Sequence, residues 1–172
     1  MANKIGVLNG IILFTLNFFI GIPLGIYFLG GLNSYTILPL NLLKYNGIDV
    51  YIWGIIDQTL TGKGWLDLGL SGRTSFLLIQ LPLLISCITT IISSFVNSVK
   101  GKKGLIAGLL LMVIGIVIFF IDMVISGIHL ELPNPVPKDQ ILSCLGLGFW
   151  ILMISLIIQI VAIKIHPETV TE

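Results

Sequence analysis

Four long apolar runs, separated by glycine pairs, lysines and prolines, leave this chain few ways to fold in water. They cover about residues 5–29, 74–99, 104–128 and 140–163, and each reaches the length of about 20 apolar residues that a helix needs to cross a bilayer. Composition points the same way. Of the 172 residues, 56% are hydrophobic and 10% are charged, whereas a soluble domain carries about 25% charged residues. There is too little polar material to cover a water-facing globule. The expected fold is an all-α integral membrane protein, a single domain built as a four-transmembrane-helix bundle.

The breaks between the runs are turn signals: Gly30-Gly31, Lys100-Gly101-Lys102-Lys103 and Pro133-Asn134-Pro135-Val136-Pro137. Proline has no N–H to continue a helix, so the last cannot be helical. The lysines then set orientation. Lys4, Lys100, Lys102, Lys103 and Lys164 fall on one side if the chain crosses four times, and the positive-inside rule makes that side cytoplasmic. Both termini are expected in the cytoplasm, in the plasma membrane. Residues 30–73 and 130–139 are expected outside. The first run is longer than the roughly 7–15 apolar residues of a signal peptide and no small-x-small cleavage site follows it, so it reads as a retained span.

Lipid tails give no drive to bury leucine against leucine, so small and polar residues mark where helices approach. Gly6, Gly10, Asn17, Gly21 and Gly25 share one face of the first span, and Gly104, Gly108, Gly115, Asp122 and Ser126 one face of the third. The second span offers Ser86, Thr90, Ser93 and Asn97, and the fourth Gly148, Ser155, Gln159 and Ala162. Pro23 is expected to kink the first helix. Gly-x-x-x-Gly opens both the first and third spans, which hints at a duplicated hairpin.

The first outer loop, residues 30–73, exceeds the roughly 12–15 residues beyond which a structureless connector is uncommon. Its aromatic residues Tyr35, Tyr45, Tyr51, Trp53 and Trp65 are of the kind enriched at membrane interfaces. Ile48, Ile52, Ile55, Ile56 and Leu60 match a helical face, and the β-branched stretch from Ile48 to Ile56 fits a short strand almost as well. Such a loop needs a surface to lie on, either lipid or a docked partner.

Chemistry is thinly represented. Asp122 and Gln80 lie at similar depth below the outer surface, within reach of Arg73 or Lys138 at the rim. An ionisable residue inside a span is a functional-site candidate, while a carboxyl held by Gln80, Ser126 and Arg73 is the structural alternative. Haem ligation is disfavoured because His129 and His166 lie at opposite surfaces, about 30 Å apart, where each reads as an ordinary interfacial residue. Cys87 and Cys144 sit at different depths, beyond the about 7 Å that a disulfide spans. No phosphate loop, nucleophile elbow or zinc-protease motif is present. A net charge of +1 offers nucleic acid no basic face. The expectation is a protein that is not an enzyme and uses no cofactor or metal.

The layout resembles that of the claudin-like tetraspan proteins: four helices, both ends inside, a long first and short second outer loop, and Arg73 at the start of the second helix. That resemblance implies a self-contained tetraspan serving adhesion or envelope organisation. The family's Gly-Leu-Trp signature with two following cysteines has no counterpart. The nearest text is Gly64-Trp65-Leu66 in a loop without cysteine, so the likeness is one of layout and assigns no family. Three functions follow. The first is a non-catalytic subunit of a larger membrane complex, partnered by other membrane proteins and lipid. The second is the self-contained tetraspan, and the third a small oligomeric transporter or channel using Asp122.

Overall fold

The computed structural model describes residues 2–19, 42–45, 48–51, 54–57, 64–65, 69–121 and 138–167. Four α-helices run through them: α1 (Lys4–Phe14), α2 (Gly69–Phe95), α3 (Val99–Phe120) and α4 (Leu147–Lys164). A π-helical turn, Thr15–Phe19, continues α1, and a 3-10 helix, Lys138–Cys144, precedes α4. The segments Leu78–Phe95, Val99–Phe120 and Leu147–Lys164 are long and apolar enough to cross a membrane, and the apolar helix over Lys4–Asn17 is shorter. The protein is a helical membrane bundle.

Each helix packs on two neighbours: α1 on α2 and α4, and α3 on α2 and α4. Contacts run in opposite senses along every such pair. Gly6 abuts Ser94 while Gly10 abuts Ile91, and Gly101 abuts Ser93 while Gly115 abuts Leu83. The result is a ring of antiparallel helices.

What is buried explains the packing. The stripes of small and polar residues read from the sequence are the faces that meet: Gly6, Gly10 and Asn17 on α1 and its π turn, Ser86, Thr90 and Ser93 on α2, Gly108 and Gly115 on α3, and Gly148, Ser155, Gln159 and Ala162 on α4 are all buried, while Asn97 and Gly104 are half-buried. Gly21, Gly25, Asp122, Ser126 and Pro23 lie outside the described residues. The exterior is the reverse of a soluble protein's. Ile11, Ile88, Ile92, Leu110, Ile154 and Ile157 are exposed while asparagine, glutamine and serine are interior, which suits hydrocarbon as the solvent.

Several boundaries differ from the sequence reading, each for a local reason. The lysine-glycine run 100–103 is not the turn; the chain turns at Val96–Ser98 and α3 begins at Val99. Gly101 lies inside the helix, where an added Cβ would run into the Val96 carbonyl, so this glycine serves close packing and not chain reversal. Helix α2 begins at Gly69, inside the stretch read as loop. Helix α4 begins later than expected because Gly146, in extended conformation, turns its N–H to the Leu42 carbonyl at 2.9 Å. Inside α2, Pro82 removes the donor that would bond the Leu78 carbonyl. The π turn has a comparable cause. Thr15 Oγ1 donates to the Ile11 carbonyl at 2.9 Å and Asn17 Nδ2 to the Leu13 carbonyl at 2.8 Å, and such back-bonding competes with the α-helical ladder.

The first loop contains a sheet, which decides between the two readings left open for it. Strands β1 (Leu43–Tyr45), β2 (Ile48–Tyr51), β3 (Gly54–Asp57) and β4 (Gly64–Trp65) pair antiparallel in sequence order. Tyr45 is registered with Ile48, Val50 with Ile55 and Ile56 with Trp65. The sheet joins the bundle through Leu42. This residue is 1% exposed and belongs to the apolar core of Leu13, Leu16, Ile116, Phe119, Phe149 and Leu152.

Candidate functional site: a buried polar lock

The most organised chemistry in the described residues lies inside the bundle, where all four helices contribute to one hydrogen-bonded cluster. Gln159 on α4 stands at its centre. Its Nε2 donates to the Leu105 carbonyl of α3 at 2.9 Å and to Thr90 Oγ1 of α2 at 3.0 Å. Asn9 Nδ2 of α1 donates to Gln159 Oε1 at 2.7 Å, and Ser155 Oγ donates to Asn9 Oδ1 at 2.6 Å. Asn9, Thr90, Ser155 and Gln159 are all fully buried.

One carbonyl fixes the direction of every bond in the chain. The Leu105 oxygen can only accept, so the Gln159 atom facing it is the amide nitrogen, and Oε1 must be the atom facing Asn9. Asn9 then presents Nδ2 to it, leaving Oδ1 for the Ser155 hydroxyl. Both amides are neutral, so the cluster carries no charge into the membrane interior, and its directional bonds set the relative height of the helices.

Around the cluster, glycines bring the helices close enough for these bonds. A Cβ on Gly108 would stand 2.7 Å from Thr90 Oγ1 and 3.3 Å from Gln159 Nε2. Ser86 Oγ donates to the Gly108 carbonyl at 2.7 Å, and Cys87 Sγ to the Gly10 carbonyl at 3.3 Å. Both Cys87 and Cys144 are free.

A second cluster closes the end of the bundle that carries the lysines. Asn3 caps α1 by accepting the Gly6 N–H on Oδ1 at 3.1 Å, and its backbone N–H donates to the Ser94 carbonyl at 2.7 Å. Its Nδ2 donates to the Ala162 carbonyl at 2.7 Å and faces His166 Nδ1 at 3.3 Å. His166 Nε2 in turn lies 2.9 Å from the Val96 carbonyl. An amide nitrogen only donates and a carbonyl only accepts, so the ring is the Nε2–H tautomer, accepting at Nδ1. Asn3 and His166, at 4% and 5% exposure, thus tie α1, the α2–α3 turn and α4 together. His166, read from the sequence as an ordinary interfacial residue, is a buried clamp.

The residues singled out from the sequence fare differently. Gln80 lies on α2, half-buried. Arg73 lies in the first turns of the same helix. Tyr45, Tyr51 and Trp65 lie on β1, β2 and β4. Asp122, Tyr35 and Trp53 lie outside the described residues, and so does the expected pairing of Asp122 with Gln80. Asn3 and Asn9 were missed. Each had a signal: Asn3 immediately precedes an apolar helix, the N-cap position, and Asn9 is a polar residue three positions after Gly6 on the face already marked by glycines.

The fold and its interior define a helical membrane protein whose polar core joins its own helices. Comparison with protein-family models, with curated proteins and with solved structures gave no match.

Proposed function

We propose that this protein is a non-catalytic, four-spanning subunit of a larger membrane complex, with both termini cytoplasmic and the first outer loop docking a partner. The observation that carries this reading is how the interior polar groups are used. Asn9, Thr90, Ser155 and Gln159 bond one another and the Leu105 backbone, which commits both amides to joining the four helices. The described parts of helices α1 to α4 hold no Asp or Glu, and Asp122, the one acidic residue in the four apolar runs, lies outside the described residues. The outer loop, by contrast, has a sheet of its own seated on the bundle, which supports a defined docking surface.

The test is native mass after gentle extraction, combined with cross-linking in intact membranes. Cross-links from Lys44 or Lys63 of the loop to a second protein are expected, with a native mass above that of one chain. A lone monomer without cross-linked partners overturns the reading.

The same sheet favours a second reading, a self-contained tetraspan whose loop mediates association between surfaces. Deleting residues 35–67 should then leave insertion intact and abolish surface association. Association that survives the deletion removes it.

A further inference from the structure

We propose that the lysine end of the bundle is a binding surface for the anionic phospholipid headgroups of the leaflet it faces. The inference rests on the membrane reading. The clamp of Asn3, Ser94, Val96, Ala162 and His166 brings Lys4, Lys100, Lys102, Lys103 and Lys164 to one end of the bundle, although they are spread from one end of the sequence to the other. Lys4, Lys100, Lys103 and Lys164 are exposed and Lys102 is half-buried. Among the described residues that end holds no Asp or Glu. Even with Glu168 and Glu172 of the following tail set against them, lysine is in excess.

Depth identifies the occupant. The lysines do not project from a polar headpiece, because exposed apolar side chains lie within a helical turn of each. Leu8 stands four residues from Lys4, and Phe95 and Val99 flank the turn before Lys100. Ile106 follows Lys103 by three, and Val161 and Ile165 bracket Lys164; all six are exposed. One helical turn is about 5.4 Å. With those side chains in hydrocarbon, the lysine stems reach outward and set their ammonium groups at the level of the lipid phosphates. A soluble acidic partner would have to displace headgroups to reach them. Basic clusters placed next to a spanning helix attract anionic lipid in this way.

Purified protein in neutral detergent is titrated with phosphatidylglycerol and, separately, phosphatidylcholine of the same chains, with binding read by native mass spectrometry and thermal melting. Phosphatidylglycerol should bind ~10-fold or more tightly than phosphatidylcholine, with a preference that falls as salt rises. The K100Q/K103Q variant should lose most of that preference. Because lysine loss can disturb insertion, the folded wild-type protein is also acetylated after purification, which removes the charges without touching biogenesis; it too should lose the preference. Equal binding of the two lipids, or a preference that survives acetylation, overturns the proposal and leaves the lysines a purely topogenic role. Soluble glycerol phosphate stabilising the protein as well as phosphatidylglycerol, at equal concentration, overturns the lipid assignment. Retention in the bilayer after alkaline carbonate extraction tests the membrane reading separately.

Discussion

The side-chain amides of Asn9 and Gln159 meet at 2.7 Å inside the bundle, across 150 residues of sequence. The contact joins the first helix to the last and is shielded on all sides. Nothing outside the protein competes for either group, so the bond acts as a register mark: sliding α1 past α4 by one turn would strand the Asn9 amide and the Gln159 Oε1 in an apolar interior.

A double-mutant cycle measures this bond. Interhelical hydrogen bonds in membranes are worth about 0.6 kcal/mol on average and up to about 1.7, and full burial places this one in the upper part of that range. Unfolding in mixed detergent–dodecyl sulfate micelles of Asn9→Ala, Gln159→Ala and the double variant should give a coupling of about 1–1.5 kcal/mol. Gln159→Ala alone should cost more than Asn9→Ala, because it also removes the donor shared by Thr90 and Leu105. A coupling of zero would mean that the two amides act independently.

Glycines that look alike in sequence should respond differently. An added methyl at Gly101 meets the Val96 carbonyl and stands 2.9 Å from the Ser93 carbonyl, both backbone atoms. At Gly104 it meets Ser93 Oγ, which can rotate away, and stands 2.9 Å from Ser93 Cβ, which moves only with its helix. Gly101→Ala should therefore lower the melting temperature markedly, through an overpacking cost of about 1–3 kcal/mol, and Gly104→Ala less, because one of its two contacts can be relieved by rotation. Equal effects would contradict the close approach of α3 to the α2–α3 turn.

These particulars show what the sequence could and could not convey. The small-residue faces were legible because lipid-exposed and helix-facing positions differ in side-chain size, a property of single residues. The α2–α3 turn was misplaced because glycine has two uses, chain reversal and close packing, and the composition of residues 100–103 is the same for both. The sheet had a signal that went unread: Tyr45 pairs with Ile48, which leaves Asn46-Gly47 as the connection, and that dipeptide between strand-like runs favours a two-residue hairpin. The Asn9–Gln159 and Asn3–His166 contacts were not legible at all. They depend on the relative height of two helices, which the spacing within either one does not determine.

Leu42 should behave as the peg that holds the first loop's sheet to the bundle. It is the residue just before β1, it is almost fully buried in the apolar core, and its carbonyl accepts the Gly146 N–H. Leu42→Ala empties a well-packed site, at a cost of about 2–5 kcal/mol where the surroundings do not collapse. The loss should fall mainly on the loop. Hydrogen exchange of β1 to β4 should accelerate while that of α3 is unchanged. If sheet and helices speed up together, the sheet is an integral part of the bundle and not an attached unit.

Asn17 runs the other way, toward a substitution expected to stabilise. It is 2% exposed, its Nδ2 bonds the Leu13 carbonyl, and its Oδ1 accepts no hydrogen bond among the described residues. A buried acceptor without a donor costs about 1–3 kcal/mol, against about 0.6 kcal/mol for a typical bond of the kind Nδ2 makes in a membrane interior. Asn17→Leu removes both terms and adds apolar contact, so it should raise the melting temperature by a few degrees, corresponding to about 1 kcal/mol. It should also relax the π turn toward a regular α-helix by removing one of the two back-bonds that compete with the ladder. Destabilisation by Asn17→Leu would carry the opposite meaning: that Oδ1 meets a donor outside the described residues.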